Sequence, residues 1–286
     1  MCSFEKIEYF KEELGRRGYV SQETVTVKNG IECFGLQIIL KNEVVSPIVY
    51  ISDDEKFEEY YEKVKVATTH LPKLGAEDFI NREFFRKNLF LSIERNKEYD
   101  QMIVDKKYVS ENVLNIRVFM RIDIHLENQE EIDSTGSIKI SEEVLKRADV
   151  DIDEAWYWAR KNTRNVFRVQ SINDVLGIPD DLGRAPLYVV TGKKGIRGSA
   201  ALLFPDVFKD FCIKKGVKAC AILPSSLEEV LILPEEEGIA YDFLAKMVND
   251  VNEDQVDELI QLDPVVYRYD VDSEEISIVA RYNEDM

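Results

Sequence analysis

Histidine is almost missing from this chain: His70 and His125 are the only two in 286 residues. Neither has a partner at zinc-ligand or catalytic-triad spacing, so histidine-dependent acid–base work and zinc binding find no support. Cysteine is nearly as scarce. Cys2, Cys33, Cys212 and Cys220 form no Cys-x-x-Cys pair. The last three sit among apolar neighbours, where a thiol behaves as a small buried hydrophobe. No run approaches the roughly 20 apolar residues of a membrane helix. The N-terminus is charged from Glu5 onward and lacks a signal-peptide core. A soluble, cytoplasmic protein with no membrane contact is expected. There is no Gly-x-Ser-x-Gly elbow, no internal repeat and no low-complexity tract.

What is present is apolar content and acid. Hydrophobic residues make up 45% of the chain, enough for a sizeable core. The net charge is −18, and it is unevenly spread. Residues 228–286 hold 18 acids and 3 bases, a net of −15, whereas residues 156–218 hold 12 bases and 5 acids, a net of +7. Such polarity fits either a well-solvated surface or an acidic C-terminal face that meets a basic protein partner. Glu235, Glu236 and Glu237 are the densest part of that face.

Periodicity sketches the elements. Phe4, Ile7, Phe10 and Leu14 follow helical spacing. Strands on either side of Asn29-Gly30 form a hairpin, because that pair supplies the positive φ angles of a type I′ turn. A third strand at 46–51 precedes a helix from about Glu55, capped by Ser52 or Asp53. Residues 78–96 read as mainly helical, and 102–104 and 115–125 as strands. Further on come a short strand at 136–140, helices after Ser141 and Asp151, and a glycine- and proline-marked boundary at 171–186. Beyond it come strands at 187–191, 217–223, 229–233, 265–269 and 276–280 and helices at 206–215, 239–251 and 254–262. Strands adjoin strands more often than helices. The expected fold is therefore α+β, with antiparallel sheets and packed helices in two lobes, 1–176 and 184–286.

Several stretches together resemble an uncharacterised bacterial family, the domain-of-unknown-function family numbered five-six-eight-eight, seen mainly in gram-positive anaerobes. They are Gly-Leu-Gln-Ile at 35–38 leading to Ser-Pro-Ile-Val-Tyr at 46–50, and 155–163 with its Ala-x-x-Asn-Thr ending. Then come Leu-Tyr-Val-Val-Thr at 187–191, Gly-Ser-Ala-Ala at 198–201, 222–229 around Pro224-Ser225-Ser226, 247–252, and Val-Tyr-x-Tyr-Asp at 266–270. The resemblance implies no established activity. In one place the chain departs from the family: where the Pro-Ser-Ser segment usually continues with an apolar residue, a histidine and a glutamate, Glu228 stands in the histidine position.

Four segments invite a chemical reading. Residues 192–198 combine three glycines with Lys193, Lys194 and Arg197, a composition that could bind phosphate, although the spacing is neither a P-loop nor a dinucleotide fingerprint. A flexible, solvated turn is the competing account. Asp250-x-Asn252-x-Asp254 opens like a calcium loop, but Gln255 and Gln261 replace the required glycine and glutamate. A helix cap suits it better. Aromatic and basic residues mix at 156–168, yet Trp156, Ala159 and Thr163 share a helical face and belong to a core, and the overall charge opposes direct nucleic-acid binding. Ser225 and Ser226 read as turn hydroxyls.

The residues thus favour a non-catalytic binding or regulatory protein that uses its acidic C-terminal surface and requires no metal or cofactor. One alternative is an enzyme or sensor for a phosphorylated small molecule at the Gly192 to Gly198 turn. Another is a nucleic-acid mimic that inhibits a DNA-binding protein.

Overall fold

The computed structural model describes residues 4–41, 43, 45–69, 74–96, 108–125, 135–179, 185–192 and 195–283. Cys2, His70, Lys193, Lys194 and the strand expected at 102–104 lie outside them. The chain forms two compact units, one from the described residues of 1–90, 98–109 and 120–158, the other from those of 91–97, 110–119 and 159–286. The architecture is mixed α+β, and every strand pairing described is antiparallel.

In the first unit, α1 (Phe4–Arg16) buries Ile7, Phe10 and Leu14. It ends where Gly18 takes a φ of +87° and the Tyr19 N–H returns to the Leu14 carbonyl at 3.0 Å. Strands β1 (Val20–Lys28) and β2 (Ile31–Ile39) join through Asn29 and Gly30, with φ of +51° and +77°. Positive φ at both positions is what the Asn-Gly pair predicts. Strand β3 (Ile48–Tyr50) pairs with β2, and α2 (Phe57–Thr69) closes the layer. Phe10, Leu36, Ile38, Phe57 and Tyr60 form its core, and the Tyr60 hydroxyl donates to the Val49 carbonyl at 3.0 Å.

The segment 78–96 corrects the sequence reading. A 3₁₀ turn (Asp78–Ile80) and α3 (Arg82–Asn88) are followed by a strand, β4 (Leu89–Arg95). The helix is started by the Asn81 side chain, which accepts from the Glu83 and Phe84 N–H groups. After it, Leu89, Leu91 and Ile93 are buried at alternate positions, the period of a strand. β5 (Ser110–Val113), β6 (Ile116–His125) and β7 (Thr135–Lys139) complete a four-stranded sheet. The alternation read in β6 holds: Ile116, Val118, Met120 and Ile122 are all buried. Helices α4 (Glu142–Arg147) and α5 (Ile152–Arg164) follow. In α5 the fully enclosed positions are Ala155, Trp158, Ala159 and Thr163, so Trp158 takes the core place expected of Trp156.

The second unit is organised by a six-stranded sheet of order β13-β12-β10-β11-β9-β8. Its strands are β8 (Arg168–Ser171), β9 (Tyr188–Thr191), β10 (Ala219–Pro224), β11 (Glu229–Pro234), β12 (Val265–Asp270) and β13 (Glu275–Arg281). Every residue of β10 is buried, as a central strand covered on both faces requires. A short helix, α6 (Ile172–Leu176), follows β8. On one face of the sheet lies α7 (Pro205–Lys215), with Phe208 against Tyr269 and Phe211 against Tyr188. On the other lies α8 (Tyr241–Gln255), whose Leu244, Ala245 and Val248 pack on Ala221, Leu223, Val266 and Ala280. No helix follows at 254–262: α8 runs on to Gln255, and Val256 is extended. No described helix is long and apolar enough to cross a membrane.

Candidate interaction surface

The acidic region begins where β11 ends. Pro234 stops the strand, and Glu235 makes one last backbone bond, from its N–H to the Ala219 carbonyl at 3.1 Å. That bond holds Glu235 beside β10, across which Arg268 of β12 meets it with Nε at 3.0 and 2.9 Å from the two carboxylate oxygens. Arg268 also donates to Asp270 at 2.7 Å, and the Tyr241 hydroxyl donates to Glu235. Burial pulls the Glu235 carboxyl upward, but Arg268 and Tyr241 outweigh it and leave the group below its ordinary value. Asp270 is lowered first by the Ser273 backbone N–H and then by Arg268. Tyr241 is pushed up to about 12 by burial and the adjacent Glu235. Glu235 is therefore an internal strut that anchors the start of α8 to the sheet.

Glu236 and Glu237, one and two residues on, are exposed, and so is every acid from 236 to 258. Of the three bases between 228 and 283, Lys246 is paired with Asp250 at 2.7 Å and Arg268 is held by Glu235 and Asp270. The C-terminal end of α8 is fastened by Asn252, which is buried and donates to the Leu262 carbonyl at 2.9 Å. Gln261 donates back to the Asn252 carbonyl at 2.7 Å. Asn252 is thus a latch inside the helix, where a terminal cap was expected. Among the described residues, no group of three or more His, Cys, Asp or Glu side chains is placed to hold a metal ion.

Arg197 lies at the start of a 3₁₀ helix (Gly198–Leu203) with a φ of +62°. Around it, backbone packing sets the glycines. A Cβ on Gly192 would collide with the Ile196 carbonyl, and one on Gly198 would collide with those of Val190 and Glu228. The Gly195 N–H donates to the Gly192 carbonyl at 3.1 Å and the Gly198 N–H to the Glu228 carbonyl at 2.5 Å. Those N–H groups, which an anion would need, already face carbonyls. The turn at 192–198 is thereby brought against the Pro-Ser-Ser turn, with Thr191 paired to Glu229 across the sheet. The hydroxyls there have local partners: Ser199 donates to the Leu227 carbonyl, Ser225 to the Glu229 carboxylate at 3.3 Å, and Ser226 accepts from the Glu228 N–H at 3.1 Å.

Three bases of the segment 156–218 have acidic partners. Arg160 pairs with Glu111, Arg164 with Asp206 and Asp210, and Lys209 with Glu274. In the first unit, a cleft of about 330 Å³ is lined by Phe4, Val25, Phe34 and Glu23, but Glu23 is already bonded to Lys11.

These features describe an α+β protein on antiparallel sheets in which Ser199, Ser225, Ser226 and the half-buried Arg268 ion pairs bond within the fold, and whose exposed charge near its C-terminus is mostly acidic. The chain belongs to the family of unknown function DUF5688, which matches residues 5–271. No curated protein and no solved structure matches it.

Proposed function

We propose that this chain is a non-catalytic binding or regulatory protein that takes a basic polypeptide on the acidic surface of residues 228–283. One observation carries the reading: every acid from 236 to 258 faces solvent while Lys246 and Arg268 are already paired within the region. Such a surface attracts cations over a Debye length of about 10 Å at 0.1 M salt. It steers association more than it sets final affinity. The Gly195, Gly198 and Glu228 N–H groups and the Ser226 hydroxyl are engaged in local turn bonds.

The test is binding of an unstructured lysine-rich peptide to the purified full chain, followed by calorimetry across a salt series. Binding should weaken steeply with salt, and weaken again when Glu236→Gln and Glu237→Gln are combined. An affinity indifferent to both salt and neutralisation would sink the reading.

A further inference from the structure

Helix α8 carries an apolar arc wider than the stripe that the described chain covers. Leu244, Ala245 and Val248 face the sheet. Phe243, Met247 and Val251, spaced four residues apart, remain 66%, 38% and 42% exposed. A surface helix ordinarily opposes its buried stripe with polar residues. Here three large apolar side chains continue that stripe around the helix: at about 100° per residue, Val251, Met247 and Phe243 fall roughly 20°, 60° and 100° beyond Leu244. At about 100° per residue, Asp250 and Asp254 fall on either side of Phe243 around the helix, within roughly 20° of it. Both are exposed. The exposed flank of the helix is therefore an apolar strip whose outer end, at Phe243, lies between two carboxylates.

We infer that this face docks a cationic amphipathic helix of a partner protein. The inference rests on the proposed function and narrows it, from any basic polypeptide to one whose apolar residues recur at helical spacing beside lysine or arginine. Charge complementarity selects this occupant. Phe243, Met247 and Val251 would seat the partner's apolar stripe, as an amphipathic helix lays itself along a groove, while Asp254 meets its cations, Asp250 being already paired with Lys246. A second copy of the chain, with a net charge of −18 of its own, would bring acid against acid. The 15 residues of α8 span about 22 Å, long enough for about four turns of a partner.

The experiment compares two synthetic peptides of identical leucine and lysine composition, one with helical periodicity and one scrambled, titrated against the full chain. The periodic peptide should bind at least about ten-fold tighter, the equivalent of 1.4 kcal/mol. Combining Phe243→Ser, Met247→Ser and Val251→Ser should abolish that preference while leaving the scrambled peptide's affinity unchanged. Circular dichroism and melting of the triple variant should match the parent, since all three positions are exposed. Asp254→Asn should weaken the periodic peptide more than the scrambled one. Equal binding of both peptides, untouched by the triple variant, overturns the inference and leaves the acidic surface standing. Failure of every cationic peptide at low salt overturns both. Self-association of the parent that the triple variant abolishes would make the occupant a second copy, and would also overturn the inference.

Discussion

Residues 4–69 and 228–283 are both rich in acid, yet they place it differently. Between 4 and 69 the carboxylates meet bases: Lys11 with Glu8 and Glu23, Arg16 with Glu12 and Glu13, Arg17 with Glu58, Lys63 with Glu55, Lys65 with Glu62. Arg17 also lies over the Tyr61 ring at 4.1 Å. Beneath them is an aromatic core in which the Phe10 ring lies 5.0 Å from Tyr60, tilted, and 5.4 Å from Phe57, edge to face. Exposed pairs of this kind contribute little each, so the aromatic core is what stabilises the layer. Between 228 and 283 a single half-buried knot, Arg268 with Glu235, Asp270 and Tyr241, is structural, and the acids from 236 to 258 stand in solvent. Where acid is matched it serves the fold; where it is in excess it is available to something else.

The sharpest break in this comparison comes from two phenylalanines. Phe10→Ala should cost about 3–5 kcal/mol, because the side chain is 2% exposed and its removal leaves a cavity. Phe243→Ala should stay within about 0.5 kcal/mol by urea denaturation. Similar losses would contradict the assignment of one to the core and the other to the surface.

Next in size is Arg268→Met, which removes the partner of two carboxylates and should cost about 2 kcal/mol. It also gives a pH signature. Glu235 and Asp270 sit below their ordinary values of 4.5 and 3.8 in the folded chain. Their contribution is therefore present above those values and is lost as pH falls through the lower folded-state values. Stability of the parent should drop more steeply below about pH 4.5 than that of Arg268→Met. Parallel curves would show that the knot does not govern acid sensitivity.

A smaller contrast lies within β12. The Tyr267 hydroxyl donates to Asn115 at 2.7 Å, so Tyr267→Phe should cost about 1 kcal/mol. The buried Tyr269 hydroxyl has no partner among the described residues, and Tyr269→Phe should be neutral or slightly stabilising. Thermal melts of the two variants check the order. The smallest effect belongs to Glu236→Gln with Glu237→Gln, a change within about 0.5 kcal/mol, against a measurable loss for Glu235→Gln.

Turn chemistry was the most legible part of the sequence. Asn29-Gly30 announced a hairpin because few other dipeptides accept positive φ at both positions. The strand β6 was equally plain, since its apolar residues alternate over seven positions. The cluster Phe84, Phe85, Leu89, Phe90 and Leu91 was not, because a dense apolar run fits both the helical and the extended period. Only the stop after Asn88 separates α3 from β4. Asn252 looked like a cap because its side chain favours helix ends; its buried bonds to the chain near Leu262 depend on a fold-back that spacing cannot reveal. The triplet 235–237 shows the same limit at the candidate surface. Three identical neighbours gave no sign of which one turns inward. The answer depends on the register that sets Glu235 beside Arg268, a relation across 33 residues. Alternation at Arg268 and Asp270 on one strand face was the one available hint.

Gly198 carries a consequence for any chain that shares this arrangement. Its α-carbon is wedged between two carbonyl oxygens, those of Val190 and Glu228, which are rigid peptide atoms with no rotamer to swing aside. Even a methyl group there would have to pry two neighbouring strands apart. The seam between 3₁₀ turn and sheet is thus gauged by bare backbone, and that position is closed to any side chain.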